Sequence, residues 1–260
     1  MALLHTTGRA EREDEALDRL DVAFEAAMRP WWSSPEPLAL LFSGGVDSGL
    51  LAWELRRRPN VSLVTVGRAG SPDLAAGRSA AQAIGLSWRG VELTGDDVGD
   101  VVARLRGEAE GLSPTARSVL VAFAAALEQA PVGTVLCGQG ADELFLGYAH
   151  FRGLEATDAA RRADADLRAL LERDWPLARS LAARSGRTVH APYLDPGFMD
   201  VARGISIPQR LPGDEPKALF RRWAERRGLP AEIARRPKRA LQYGSGIDRL
   251  LTRADGHTGR

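Results

Sequence analysis

The chain has 260 residues, of which 44% are hydrophobic and 27% charged, so it can bury a sizeable core and global disorder is excluded. Lys plus Arg number 35 and Asp plus Glu number 34; the formal charge of +1 gives no bulk electrostatic reason to bind nucleic acid. The single cysteine, Cys137, excludes an internal disulfide and a zinc site built on several thiolates. No apolar run approaches the roughly 18 residues of a membrane span. We therefore expect a cytoplasmic protein with no membrane contact.

Strand-like and helix-like segments alternate over the first half of the chain. A charged amphipathic helix is predicted over 9–29 and is expected to end at Pro30. Apolar strands are predicted at 37–45, 61–67, 87–93 and 133–140, and helices at 46–58, 71–85, 96–109 and 114–130. This alternation predicts the α/β class, with a doubly wound parallel sheet that has helices on both faces.

After about residue 151 the strand signal fades, and the pattern predicts a mainly helical continuation. Helices are predicted over 155–184, 196–204 and 214–228. The sequence thus predicts an N-terminal helical extension, an α/β core and a helical annex, with boundaries at 1–36, 37–150 and 151–260. Arginine clusters have acidic neighbours, which favours solvated helix faces over a tRNA-binding surface. These clusters lie at 56–58, 221–222, 226–227 and 235–239.

The segment Ser-Gly-Gly-Val-Asp-Ser, residues 43–48, follows the first predicted strand and leads into a helix. Glycines permit positive φ and close approach of a ligand, and the helix that follows presents N–H groups and partial positive charge. The hydroxyls of Ser43 and Ser48 add donors, and Asp47 is a hard oxygen ligand suited to Mg²⁺. The segment predicts a phosphate cradle with a metal carboxylate, unlike Walker A because no GK[ST] follows. The alternative is a glycine turn that caps a helix and binds nothing.

A second glycine-rich segment, Cys-Gly-Gln-Gly-Ala-Asp-Glu-Leu-Phe-Leu-Gly-Tyr, occupies residues 137–148 and ends another predicted strand. Ligands of parallel sheets bind at the carboxyl ends of the strands, so segments 43–48 and 138–142 are predicted to share one crevice. Asp142 and Glu143 are either functional acids or helix N-terminal charges stabilised by the helix dipole.

Four motifs carry a resemblance to a known family. Segment 43–48 resembles the pyrophosphatase loop of the N-type ATP pyrophosphatases, and segment 137–148 is similar to the SGxGxDExFxGY stretch of the asparagine synthetase synthetase domain. Residues 192–195, Pro-Tyr-Leu-Asp, match the family's P[FY]LD element, which we interpret as structural. Lys217 and Lys238 lie in segments similar to the family's "K..lR…LP" helix and its "R.K" motif.

The two lysines are informative in themselves. Lys217 and Lys238 are the only lysines in the chain, and the other 33 basic residues are arginine. A compact, rotatable ammonium is not replaced by a guanidinium where it must reach a phosphoryl oxygen in a tight site. Their position in these two motifs favours a functional role over a solvated surface role.

The resemblance covers about residues 37 to 250 and implies a fold of the adenine nucleotide α-hydrolase (PP-loop) type. It implies an ATP- and Mg²⁺-dependent, AMP-forming amide synthetase, with the aspartate β-carboxylate as the first candidate substrate and ammonia as the amine. The ATP-binding residues it implies are Leu41, Ser43, Gly44, Gly45, Asp47, Ser48, Val66, Cys137 and Gly138. Asp47 and Asp142 would hold Mg²⁺, and the implied catalytic residues are Lys238, Lys217, Glu143 and Gln139.

The sequence departs from the family's pattern in two places. Position 2 is Ala2, where the family's full-length members expose a cysteine nucleophile, and only about 36 residues precede the first strand. Ammonia or another amine is therefore expected to arrive free or from a separate glutaminase subunit. Gln139 stands where the family carries Glu, and an amide cannot take a proton. Glu143 or the adenylate phosphate is the expected proton acceptor.

Three other functions stay open at this point. One is a related enzyme that makes another amide or a lactam, and a second is a tRNA-modifying adenylating enzyme. The third is a non-catalytic nucleotide-binding subunit. The sequence also leaves open the carboxylic acid, the source of the amine, and whether the chain forms a homo-oligomer.

Overall fold

The computed structural model describes residues 2–109, 112–213, 215–237 and 241–257. They form two compact units, each assembled from separated stretches of chain. The sheet unit comprises 35–137, 173–190 and 230–260, and the helical unit comprises 1–34, 138–172 and 191–229. Stretches of the two units alternate along the sequence. The predicted division into three consecutive regions, with boundaries at residues 36 and 150, stays a prediction.

Five strands and fifteen α-helices are present in the described residues. The strands are β1 (Leu38–Leu41), β2 (Val61–Arg68), β3 (Ser87–Leu93), β4 (Thr134–Leu136) and β5 (Thr188–His190). The helices are α1 (Ala2–Ser33), α2 (Val46–Leu55), α3 (Pro72–Ile84), α4 (Gly95–Arg104), α5 (Arg106–Ala109), α6 (Pro114–Glu128), α7 (Ala141–Leu144), α8 (Ala156–Ala169), α9 (Trp175–Arg184), α10 (Pro196–Gly204), α11 (Ile207–Arg210), α12 (Ala218–Arg226), α13 (Ala231–Ala234), α14 (Leu241–Ser245) and α15 (Ile247–His257). None of these described helices is both long and apolar enough to cross a membrane.

The sheet unit is built on five parallel strands in the order β3-β2-β1-β4-β5. The central strand β1 places Leu40 between Leu63 of β2 and Leu136 of β4, and all three side chains are fully buried. Such continuous apolar strands are typical of a parallel sheet covered by helices. The predicted α/β class with a parallel sheet is therefore confirmed. β1, β3 and β4 lie within their predicted strands, and β2 extends one residue beyond its predicted end.

The fifth strand was not predicted. β5 has three residues and pairs in parallel with β4 through Val135 and Val189. A run this short shows neither alternation nor a sustained apolar stretch, so its sequence carries no strand signal of its own.

Two helix predictions fail at proline. α1 does not end at Pro30 but continues to Ser33. Pro30 lies in the last turn, where the lost N–H leaves only the carbonyl of the exposed Ala26 without its bond, and water can satisfy it. The helix predicted over 155–184 is divided into α8, a π-helical turn (170–174) and α9. Pro176 in the first turn of α9 has no N–H to donate backwards, which fits the change of helix type.

Two further helices differ from their predicted bounds. The helix predicted over 96–109 is interrupted at Leu105, between α4 and α5. The helix predicted over 214–228 begins only at Ala218, because Lys217 has a left-handed backbone with φ +61° and ends the helical geometry on its N-terminal side.

The helical unit has a core of aromatic rings drawn from three helices, the turn 192–194 and the segment after α7. The rings belong to Phe24, Phe145, Tyr193, Phe198, Phe220 and Trp223. Ring centroids of Phe24 and Trp223 are 5.0 Å apart, and those of Phe145 and Phe220 are 4.8 Å apart. This packing joins α1, α10 and α12 to the segment after α7.

Several predicted solvated arginines are partly or fully buried instead. Arg222 pairs with Glu13 at 2.6 Å and Arg227 with Asp21 at 2.8 Å, so α12 is tied to α1 by ion pairs. In the sheet unit Arg58 is buried and donates to the Glu36 carbonyl. Sequence could not show this, because the acidic partners lie on distant segments.

Candidate active site

The loop between β1 and α2 is organised by its own hydroxyls. The Phe42 N–H donates to the Val64 carbonyl at 2.8 Å, so the sheet pairing extends one residue past β1. Ser43 N–H donates to Ser48 Oγ at 3.3 Å, and Gly45 N–H donates to Ser43 Oγ at 3.3 Å. The serines thus shape the loop in addition to any contact with phosphate.

Gly44 is the residue that lets this loop turn. Its φ is +70°, a conformation that residues with a side chain rarely adopt. A Cβ at this position would stand 2.6 Å from the carbonyl carbon and oxygen of Ala76, in the backbone of α3. Glycine is therefore required both by the backbone conformation and by the close approach of α3.

The loop leads directly into the N-terminus of α2. Gly45 is the N-cap residue, and Asp47 lies in the first turn with a partly exposed side chain. The first N–H groups of a helix have no partner within it and attract anions, so this end can take a phosphate. Asp47 adds a carboxylate of the kind that holds Mg²⁺ beside phosphate oxygens.

The other nucleotide-binding residues implied for this unit lie at the carboxyl ends of three neighbouring strands. Leu41 ends β1, Val66 lies near the end of β2, and Cys137 follows β4. Val66 and Cys137 are buried, and the Cys137 N–H donates to the His190 carbonyl at 2.9 Å. The sheet unit thus gathers Leu41, segment 43–48, Val66 and Cys137 at one edge of its sheet.

Sequence reasoning missed one residue at this loop. Arg236 Nη1 donates to the Ser43 carbonyl at 2.6 Å, and Arg236 Nη2 pairs with Asp73 Oδ1 at 3.1 Å. The cluster 235–239 was predicted to form a solvated face, and for Arg236 that prediction is wrong. Its partners lie more than 160 residues earlier in the chain, and Asp73 resembles any acid in the first turn of a helix.

The helical unit brings together Asp142, Glu143 and Lys217. Asp142 Oδ1 lies 2.7 Å from Lys217 Nζ, and the lysine side chain is 1% exposed. Gly147 N–H donates to the Asp142 carbonyl at 2.8 Å, and a Cβ on Gly147 would overlap both the Asp142 carboxylate and the Lys217 stem. The turn after α7 is therefore shaped around this ion pair.

Glu143 is buried beside the pair and is held by a tyrosine. Its side chain accepts a hydrogen bond of 2.5 Å from Tyr148 Oη. The pKa of Glu143 is raised to about 7, chiefly by burial and secondly by repulsion from Asp142. The Tyr148 hydrogen bond and Lys217 act in the opposite direction. Burial and the nearby carboxylates also raise the pKa of Tyr148, so the phenol stays a donor at neutral pH.

This geometry predicts a pH dependence of stability. The folded protein holds the Glu143 proton up to about pH 7, whereas the unfolded chain releases it near 4.5. The stabilisation is fully present below pH 4.5 and is lost as pH rises through 7, a change on the order of 3 kcal/mol. The amide of Glu143→Gln can still accept from Tyr148 and does not ionise. We expect this variant to match the wild type at pH 4.5 and to exceed its free energy of unfolding at pH 8.

Urea denaturation between pH 4.5 and 8 measures this difference. Glu15→Gln, an exposed carboxylate on α1, is the matched control and should leave the pH slope unchanged. Parallel pH curves for the wild type and Glu143→Gln would show that burial does not hold the proton.

The segment before α7 carries an acceptor with no donor. Gln139 Oε1 is buried, and nothing in the described part of the chain donates to it. Gly140 adopts φ +95° as the N-cap of α7, and a Cβ there would meet the Leu194 side chain at 2.5 Å.

In segment 192–195, Tyr193 is fully buried, and Asp195 Oδ1 accepts from the Phe198 N–H at 3.1 Å to cap α10. These contacts fit the structural interpretation of segment 192–195.

Each unit contains one of the two carboxylates that were predicted to hold Mg²⁺. Asp47 of the sheet unit and Asp142 of the helical unit are both partly exposed, and both have the hard oxygen atoms that Mg²⁺ prefers. In the described residues no group of three or more His, Cys, Asp or Glu is placed to hold a metal. Lys238 lies outside the described residues, and the roles assigned to single residues from the sequence stay predictions.

The asparagine synthase family matches residues 19–187 and 155–255. Glutamine-hydrolysing asparagine synthetase 2 of Lotus japonicus is 27% identical, over 90% of this chain and 44% of the relative. Asparagine synthetase B of Escherichia coli K12 is 27% identical, over 92% of this chain and 47% of the relative. The chain spans about half the length of the curated relatives it matches.

Similar solved structures are more distant. An NH3-dependent NAD synthetase from Campylobacter jejuni has 14% identity and a TM-score of 0.34, covering 88% of this chain and 98% of that one. A predicted tRNA methyltransferase subunit from Methanocaldococcus jannaschii has 15% identity and a TM-score of 0.35, covering 78% and 94%. The family match spans most of the chain and includes segment 43–48, the turn after α7 and Lys217. This chain belongs to the asparagine synthase family.

Proposed function

We propose that the chain is an ATP- and Mg²⁺-dependent, AMP-forming amide synthetase. The observation that carries the proposal is the loop at residues 43–45, where Gly44 has positive φ and the chain enters the N-terminus of α2. This arrangement suits a polyphosphate, and membership of the asparagine synthase family supports the same chemistry.

The proposed reaction has two steps. A carboxylate attacks the α-phosphorus of ATP in line, which forms an acyl-adenylate and releases pyrophosphate. An amine then attacks the acyl carbon, and AMP leaves. The aspartate β-carboxylate and ammonia are the first candidates, because the curated relatives are named as asparagine synthetases. The ammonia would be free or delivered by a separate glutaminase subunit, and a cytoplasmic location is part of the same proposal.

The residues of the chain would act mainly by positioning and by charge. Ser43, Gly44, Gly45 and Ser48, with Leu41, Val66, Cys137 and Gly138, would bind the nucleotide. That segments 43–48 and 138–142 serve one nucleotide is a prediction from the sequence. Asp47 and Asp142 would hold Mg²⁺, which when bound offsets the charge of the pyrophosphate. Lys217 and Lys238 would stabilise negative charge on the phosphates in the transition state.

Glu143 is the proposed proton acceptor for the second step. A carboxylate with a pKa near 7 can take a proton from the attacking amine at neutral pH, whereas Gln139 cannot. The buried Oε1 of Gln139 would instead accept a hydrogen bond from substrate or amine. Because this position differs from the family's Glu, a related amide or lactam synthetase is the second candidate function.

Product analysis tests the proposal. Purified protein is incubated with ATP, Mg²⁺, ammonia and each of a panel of carboxylic acids, and the nucleotide products are separated. We expect AMP and pyrophosphate in equal amounts with one acid. A response to another acid while aspartate is silent would favour the second candidate. Release of ADP, or no AMP with any acid, would contradict both.

A further inference from the structure

We propose that Arg236 is a positioning residue that fastens the chain around residues 235–237 to the nucleotide loop, so that the two segments become ordered together. The inference deepens the proposed function, on which it rests for the role of the loop. It assigns Arg236 no contact with substrate and no part in the reaction itself. Its observations lie entirely within the sheet unit.

The Arg236 guanidinium joins three segments that are far apart in sequence. Nη1 donates to the Ser43 carbonyl at 2.6 Å. Nη2 donates to Asp73 Oδ1 at 3.1 Å and to the Pro72 carbonyl at 3.3 Å. One side chain thus connects the nucleotide loop, the start of α3 and the segment that follows α13.

The acceptors are themselves fixed. Asp73 is 4% exposed and lies in the first turn of α3, whose N-cap Ser71 accepts from the Leu74 N–H. A Cβ on Gly244 would overlap the Asp73 carboxylate, so α14 packs directly against it. A buried carboxylate needs a partner for its charge, and Arg236 supplies one.

The loop is held on both sides. On one side Gly44 contacts the α3 backbone at Ala76, and on the other Arg236 holds the carbonyl of Ser43. Phosphate binding requires the loop to adopt one conformation. A loop that is held on two sides samples fewer other conformations, so it loses less conformational entropy when the phosphate binds. The same bond restrains the chain two residues before Lys238.

Arginine suits this position because its two nitrogens reach different acceptors from one rigid plane. A lysine would keep the charge but could not hold the carbonyl and the carboxylate in the same fixed geometry. This gives a charge-conserving variant, Arg236→Lys, beside the neutral Arg236→Gln. Glu232, an exposed charged residue of the same segment, gives the control Glu232→Gln.

Hydrogen exchange tests the inference without requiring catalysis. Exchange is measured for peptides that cover 42–48 and 230–237, first without ligand and then with ATP and Mg²⁺. Loss of a charge-assisted hydrogen bond should raise exchange by about tenfold in both peptides of Arg236→Gln. Arg236→Lys should show a smaller rise in both, and Glu232→Gln should match the wild type. The Kd for ATP should rise by about tenfold in Arg236→Gln, by less in Arg236→Lys, and not at all in Glu232→Gln.

Two outcomes would overturn the inference. One is a rise in exchange that is confined to 230–237 while 42–48 stays unchanged, because the two segments would then not be ordered together. The other is the same response in Glu232→Gln. If the Gln variant does not fold, the Lys variant decides by the same comparison. A wild type that binds no ATP would refute the proposed function, whereas the exchange measured without ligand would still decide on Arg236.

Discussion

Gly44→Ala is expected to lower the free energy of unfolding by about 3 kcal/mol and to abolish ATP binding. The new methyl group would stand 2.6 Å from the backbone carbonyl of Ala76, and backbone cannot move aside as a flexible side chain can. The substitution also forces a residue with a side chain into φ +70°, at a cost of about 1–2 kcal/mol. The overlap adds a similar amount, as overpacking usually does.

Gly70→Ala is the matched control for this variant. Gly70 has nearly the same φ, +68°, and nothing lies within 4 Å of the position of its Cβ. It should therefore incur the backbone cost alone, about 1–2 kcal/mol, and bind ATP normally. Urea denaturation and calorimetry of ATP binding measure the two effects. Equal losses in both variants would contradict the view that α3 supports the loop by close contact.

The sequence predicts the loop because its signal is local. A buried strand, two glycines and a helix start follow one another within residues 37–48, and each step has a steric or electrostatic reason. The parallel sheet is predicted from the alternation of elements and the limits on parallel crossovers, whereas the strand order was not predicted. β5 was not predicted, because its three residues show too little hydrophobic pattern and its position in the sheet depends on pairing with β4.

The contacts of the site depend on distant residues, and they were not predictable in the same way. Lys217 and Asp142 were recognised separately from motifs, but their ion pair depends on the turn at Gly147 and on the left-handed backbone of Lys217. Arg236 was grouped with exposed arginines because its buried partner, Asp73, is not near it in sequence. The sequence shows which charged residues are clustered, but whether a given charge is buried depends on the fold.

The ion pair between Lys217 and Asp142 should behave as a unit, and a double-mutant cycle can show this. Lys217→Met is expected to lower the free energy of unfolding by about 3 kcal/mol, because it leaves a largely buried carboxylate without its cation. Asp142→Asn should cost a similar amount, since Lys217 is 1% exposed and would keep an uncompensated charge. When both charges are removed together, no buried charge is left unpaired, so the double variant should cost less than the sum of the two single variants.

Stability and activity should separate in this cycle, which distinguishes a purely structural pair from a functional one. The double variant should regain at least half of the stability lost by either single variant and yet form no AMP, because the proposed magnesium ligand and the proposed phosphate-binding cation are both gone. Urea denaturation gives the coupling energy, and product analysis gives the activity. As control, Arg222→Met with Glu13→Gln removes an ion pair on α1 and α12 that has no proposed function, and this double variant should keep AMP formation. Additive stability losses at 142 and 217 would contradict the pairing. Full activity in the double variant would show that the pair serves only the fold of the helical unit.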